Sequence, residues 1–322
     1  MTKYRRGLPQ LRGHLFLTDD GIETNLMFHD AFDLPFFAAF HLLRNREGRD
    51  AIVRYYERFI AIARAHDLGF ILESPTWRGS SDWGEKLGYT RDGIGVINRR
   101  SVDLMLNLRA RHESAHTPIV ISGCVGPRGD GYDPGIDGYD PGIMVTTEEA
   151  TVYHAHQIGV FAEAGADMVT GMTITNATEA IGIVRAARTA GMPVVISFTL
   201  ETDGRLPTGQ PLSEAIREVD TATEGAPAYY MLNCAHPTHF EHALYMAYAP
   251  MHRGAATPNS TRHPTWTMGT LPNSGRNTPR SAGVSLESTS SAAVAARTIA
   301  ISSGSATRAK RRPRERSHHA GF

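Results

Sequence analysis

Apolar residues fall along residues 1–249 in short blocks separated by longer mixed stretches. Six runs rich in strand-forming residues stand out: His14–Thr18, Gly69–Glu73, Pro118–Ser122, Ala166–Thr170, Pro193–Thr199 and Ala228–Leu232. Bounded by turn residues, each predicts a strand. Between them Ala51–His66, Glu148–Ala164 and Ala177–Ala190 carry the three-and-four spacing of amphipathic helices. Strand and helix therefore alternate, the rhythm of a parallel α/β fold. Six strands in 249 residues predict a (β/α)8 TIM barrel that is incomplete, with strands 7 and 8 replaced by an aberrant tail. A doubly wound sheet shares the rhythm, but no Gly-x-Gly-x-x-Gly follows the first strand, so a dinucleotide site lacks its usual sequence support.

The polar residues gather where each strand ends. Asp19-Asp20-Gly21-Ile22-Glu23-Thr24 follows the first run, Glu73 to Arg78 the second, and Gly123 to Asp130 the third. Thr173–Asn176, Glu201–Gly204 and Asn233-Cys234-Ala235-His236-Pro237 follow the others. In a barrel the C-terminal strand ends converge on one mouth, where its chemistry is done, and six such segments together exceed what turns alone require.

From Pro250 onward the pattern is lost. Residues 250–322 are rich in Ser, Thr, Ala and Arg, with eleven basic and two acidic residues, a balance of +9. Residues 1–249 hold 22 basic and 31 acidic residues, a balance of −9, so the neutral total of the 322-residue chain conceals two unlike parts. We expect a barrel portion over 1–249 and a basic, low-complexity, disordered tail over 250–322. No stretch approaches the roughly 20 apolar residues of a membrane span, and the basic start leads only into His14–Leu17, which predicts neither a span nor a secretory signal. Two cysteines, Cys124 and Cys234, make no disulfide framework and no local CxxC metal knuckle, and a cytoplasmic location is the expectation.

Five segments carry a resemblance. TDDGIET (Thr18–Thr24), GCVGPRGDGY (Gly123–Tyr132), GADMVTGMTITNATEAIGIVRAA (Gly165–Ala187), PVVISFTLETDGRLPTG (Pro193–Gly209) and YYMLNCAHPTHF (Tyr229–Phe240) together resemble the homocysteine S-methyltransferase family. The resemblance implies a barrel that holds one zinc through three cysteines, one in an Asn-Cys motif after strand six and an adjacent pair in GGCC after strand eight. Homocysteine's thiol would take the fourth zinc position and attack the methyl group of a donor, giving methionine. A free thiol, with a reference pKa of about 8.5, is mostly protonated at neutral pH, and zinc makes it the thiolate that attacks. Carried onto this chain, the resemblance makes Cys234 the first zinc ligand and Asn233 its motif partner beside the substrate. Asp19 and Gly21 belong to the substrate-binding turn, with Asp19 holding the ammonium group. The implied partners are small molecules, homocysteine and a methyl donor, with no membrane and no nucleic acid among them. Sulfonium compounds, betaines and folates remain open as donors.

The chain departs from that pattern in three places. It reads Asp-Asp-Gly where the family has Asp-Gly-Gly, so Asp20 occupies a glycine position. The stretch Gly171–Thr175 lacks the glutamate that some members place there against the substrate amine. Above all, no cysteine follows Cys234, and one thiolate does not make a three-cysteine site. Read in a shifted frame, Ser291–Thr307 permits Gly-Gly-Cys-Cys-Gly-Thr-Asp-His-Arg-His-Ile-Glu-Arg-Ile-Cys-Asp without a gap, and Thr265–Asn273 permits Leu-Asp-Asp-Gly-Asp-Pro-Ala-Glu. Both are family-like, which places a break in frame between His239 and Thr265. With its last strands lost, the sheet is expected to leave strands one and six unpaired at their edges and the barrel interior exposed. The alternatives are a catalytically dead pseudoenzyme and a basic-tailed binding protein that uses Lys310–Arg316 (KRRPRER).

Smaller signals have plainer readings. DGYDPGI occurs twice in succession, at Asp130–Ile136 and Asp137–Ile143, and reads as a surface-loop duplication. His236, His239 and His242 near Cys234 read as solvated residues, and Cys124 as a small buried hydrophobe.

Overall fold

The computed structural model describes residues 2–131, 146–234 and 299–301. Strands β1 (Phe16–Thr18), β2 (Gly69–Glu73), β3 (Ile119–Val125), β4 (Met168–Ile174), β5 (Val194–Phe198) and β6 (Tyr229–Leu232) lie side by side in chain order. Every neighbouring pair among the six is parallel. Helices α1 (Ile22–Phe28), α2 (Arg46–Ala65), α3 (Ser81–Lys86), α4 (Arg91–His112), α5 (Thr147–Ala164), α6 (Ala177–Thr189) and α7 (Leu212–Thr223) connect them. This is a curled parallel half-barrel, the architecture of an incomplete TIM barrel.

The strands separate two apolar layers. Phe70 and Leu72 of β2 pack outward with the helices, in one cluster with Ile119, Ile121, Ile158, Phe161 and Ile183. Ile71, Val120, Met168, Val195, Tyr229 and Met231 form a second, inner cluster with Leu8. Neighbouring residues of one strand thus serve opposite layers, and β2 and β3 are buried throughout, as a strand covered on both faces must be.

The N-terminal segment shuts the lower end of the wall. The Tyr4 amide donates to Asp167 Oδ1 at 3.0 Å, and Arg5 Nη2 to the Ala162 and Ala166 carbonyls at 2.8 and 2.7 Å. Arg109 forms a buried ion pair with the same Asp167, whose Oδ2 also accepts from the Ile121 amide at 3.0 Å. The inner side chains are consequently buried, Val120, Met168 and Val195 completely, contrary to the exposed interior expected above.

The edge of β6 also differs from expectation. A seventh strand, β7 (Ile299–Ile301), pairs with it antiparallel, Leu232 opposite Ile299 and Tyr230 opposite Ile301. Among the described residues β1 has β2 as its one partner. An antiparallel segment satisfies the open backbone groups of an edge without the parallel crossover that a barrel's own seventh strand requires.

Strand ends moved as well. β3 continues past Ser122 to Val125 and β4 past Thr170 to Ile174, so GCV and GMTI are strand rather than loop. A register shift between Gly171 and Ile174, with Thr173 at φ 61°, interrupts the regular ladder at the end of β4. Most of the tandem repeat, the three histidines after Cys234 and the Lys310–Arg316 patch lie outside the described residues.

Candidate functional site

A cavity of about 760 Å³ opens at the C-terminal ends of the strands. Asp19 after β1, Glu73 ending β2, Cys124 in β3, Thr173 in β4 and Asn233 and Cys234 after β6 all line it. The structure thus brings the sequence-predicted Asp19, Gly21, Asn233 and Cys234 to one place.

Asp19 is held by α2. The Tyr55 hydroxyl lies 3.0 Å from Asp19 Oδ2 and 2.6 Å from the Asp20 carbonyl, which fixes the Asp-Asp turn. Removal from water pushes the Asp19 carboxyl well above the usual carboxylate range, and the neighbouring Glu73 charge adds to that. Of the two adjacent aspartates, Asp19 is the one whose side chain α2 anchors. Gly21 is at the rim, the residue before α1, with φ −66°; a Cβ there would meet Thr24 Oγ1 at an ordinary 3.5 Å.

Asn233 binds three strands together. Its Oδ1 accepts from the Thr173 amide at 3.1 Å and from Ser197 Oγ at 2.7 Å, and its Nδ2 donates to Thr173 Oγ1 at 2.8 Å and to Cys234 Sγ at 3.2 Å. Both amide atoms are fully engaged. Cys234, exposed and at φ 56°, is thereby turned into the mouth beside β4.

The segment from Glu73 to Arg78, one of the polar strand ends named from the sequence, supplies charges to which the sequence reading gave no individual role. Glu73 Oε1 accepts from Thr170 Oγ1 at 2.8 Å, and Ser122 Oγ lies 2.8 Å from Thr170 Oγ1, whereas the buried Oε2 has no hydrogen-bond partner among the described residues. Burial pushes Glu73 up to about 7. Glu23, on α1, is likewise pushed up to about 7 by burial, against the pull of the Arg78 charge. Arg78 stacks on Trp83 at 3.7 Å from the ring centre and donates through Nη2 to Asp130 at 2.9 Å. The loop carrying these groups is pinned by Trp77 Nε1 to the Met172 carbonyl at 3.1 Å and by Gln157 Nε2 to the Thr76 carbonyl at 2.9 Å. The one signal for Glu73 in the sequence was its place at a strand end.

The donor set does not fit a three-thiolate zinc. The chain has two cysteines, and among the described residues no group of three or more His, Cys, Asp and Glu side chains is arranged to hold a metal ion. Cys124 is buried, as the sequence suggested. Its burial, with the charges of Glu73, Glu23 and Asp19 around it, pushes the thiol well above its ordinary value and disfavours a thiolate ligand.

A family model described as homocysteine S-methyltransferase matches residues 16–306. No curated protein matches the chain. Among solved structures, the metallated form of the homocysteine methyltransferase MmuM from Escherichia coli is 18% identical, with a TM-score of 0.61 over 76% of this chain and 82% of that one. Its oxidized form is 17% identical, with a TM-score of 0.62 over 77% and 82%. At these identities the likeness is one of fold.

Proposed function

Because this chain belongs to the homocysteine S-methyltransferase family, we propose that its gene encodes transfer of a methyl group from a donor to the thiol of homocysteine, giving methionine, in the cytoplasm. The observation that carries the reading is the meeting of Asp19, from the first strand's end, and Cys234, from the sixth's, in one cavity at the barrel mouth. Both substrates in this reading are small molecules, and among the described residues no helix is long and apolar enough to cross a membrane.

Each residue then has a part. Asp19, oriented by Tyr55, takes the ammonium group of homocysteine, and the backbone at Gly21 forms the rim over it. Asn233 spends its amide on Thr173, Ser197 and Cys234, so its part is to hold Cys234 in its turn and steady the ends of β4 and β5. The family's zinc would supply the thiolate, yet two cysteines do not build that site, and this exact chain lacks that means of activating the substrate.

We read the deficit as a break in frame between His239 and Thr265, which replaces the final strands by the basic tail over 250–322. The family match continues past that boundary to residue 306. A pseudoenzyme that binds an amino-acid thiol is the second reading, favoured by the cysteine count alone. The KRRPRER patch is then an accident of translation, and any nucleic-acid binding by it would be weak and lost in salt.

The deciding experiment is the coding DNA for Tyr229–Phe322 from an independent clone, with both versions of the protein tested. One inserted or deleted base should restore GGCC, and the restored chain should bind one zinc per chain and methylate homocysteine while the chain as written does neither. Methyl transfer by the chain as written would overturn the frame reading.

A further inference from the structure

We infer that Glu73 is the second carboxylate of the substrate-ammonium seat, standing on β2 opposite Asp19 and replacing the carboxylate absent after β4. The inference rests on reading the cavity as the seat of an amino-acid thiol, and it deepens that reading.

The geometry starts from an unbalanced pair. Asp19 and Glu73 line the same cavity and repel one another. The groups acting most strongly on Asp19 are Glu73, Tyr55 and Glu23, and those on Glu73 are Thr170 and Ser122; none is a cation. Cys124, Tyr56 and Tyr229 also face Glu73, and each is made harder to ionise by its charge. Arg78, the cation on this side of the cavity, acts on Glu23 and is tied to Asp130.

Glu73 is also held half-finished. Thr170 fixes one carboxylate oxygen, while the other is buried without a hydrogen-bond partner among the described residues. A buried acceptor without a donor is costly, and such a group in a native structure calls for a partner, which at a cavity wall is supplied by water, an ion or a ligand. The ligand that completes this one must donate hydrogen bonds and carry positive charge, because only a cation offsets the repulsion from Asp19. A primary ammonium has three donors, enough to serve Asp19 and Glu73 together. Residues 171–174 of β4 carry no acid, so the β2 carboxylate is the one that the wall supplies. As the ammonium enters, Glu73 ionises and its proton passes to solvent.

Calorimetry on the full chain tests this with L-homocysteine, 4-mercaptobutanoate, which lacks the amine, and L-2-aminobutyrate, which lacks the thiol. Removing the amine should weaken binding by about tenfold or more. Glu73→Gln should weaken L-2-aminobutyrate to a similar extent while leaving 4-mercaptobutanoate within about twofold. The wild-type chain should release protons at pH 7 when it takes L-2-aminobutyrate, seen by comparing buffers of different ionisation enthalpy, and the variant, left with Asp19 alone, should release fewer. That comparison on the wild type needs no variant, so it holds even if Glu73→Gln fails to fold. Unchanged L-2-aminobutyrate binding in the variant, equal losses for both ligands, absence of proton release in the wild type, or binding of neither amine would each overturn the seat. If the amine is required but L-homocysteine binds no better than L-2-aminobutyrate, the seat stands and the homocysteine reading fails.

Discussion

Asn233 and Glu73 illustrate two ways in which a polar residue survives at a barrel mouth. Asn233 satisfies its whole amide within the protein, and its worth is positional: it ties β4, β5 and the Cys234 turn together. Glu73 satisfies half of its carboxyl, and burial raises its pKa to about 7 from an ordinary 4.5, with a measurable consequence. The native chain therefore holds this proton more tightly than the unfolded one. The contribution is complete below pH 4.5 and is lost as pH rises through 7, amounting to about 3 kcal/mol. Thermal unfolding from pH 4.5 to 7.5 should show the wild type losing stability across the window relative to Glu73→Gln. Parallel curves would mean that Glu73 ionises as easily folded as unfolded. Asp19 and Cys234 were legible at this scale because their motifs are contiguous. Glu73 was not, since its partner Thr170 lies on another strand.

At the scale of elements the sequence pattern carried far. β2 occupies the residues that its apolar run predicted, and α5 and α6 begin and end within a residue of their predicted bounds. Caps explain the sharp starts. Thr146 and Glu149 form a reciprocal capping box at α5, and Asn176 accepts from the Glu179 amide at 2.7 Å at α6. Glu179 Oε1 then accepts from the Arg128 amide at 2.7 Å and meets His154 Nε2 at 3.0 Å, so the α6 cap also positions the Gly126–Asp130 turn. Replacing Asn176 by Ala should cost about 1 to 2 kcal/mol in urea unfolding. A loss within about 0.3 kcal/mol would show that the Glu179 network holds α6 without its cap. The ends of β3 and β4 differ from the prediction for a physical reason: Gly123 and Gly171 are weak strand formers, and their neighbours' ladders, rather than their own preference, keep them extended.

For the molecule as a whole, closure at the lower end depends on residues far apart in the chain. Asp167 gathers the Tyr4 amide, the Ile121 amide and the Arg109 guanidinium beneath the inner cluster. Asp167→Ala strands a buried cation and two amides, and should cost about 3 to 5 kcal/mol in equilibrium unfolding. The double change Arg109→Met with Asp167→Ala should recover part of that. If the single variant unfolds like the wild type, the N-terminal segment is not what closes the wall. The upper end is the functional one, and there the incomplete wall brings Asp19 and Cys234 to a shared cavity while leaving the thiolate set short.

By itself the sequence determined the strand and helix rhythm, the split in charge at residue 250, the family segments and the missing cysteines, because each is a local or countable property. Periodicity records which face of an element is buried. It does not record which distant element buries it. The tertiary structure alone decided that β7 runs antiparallel along β6, that the N-terminal segment plugs the wall, that Asn233 is spent on its neighbours, and that Glu73 faces Asp19 with an oxygen to spare. Each of these joins residues on different strands or at distant points of the chain, and such pairings are set by how the strands stack side by side rather than by any preference of the residues themselves.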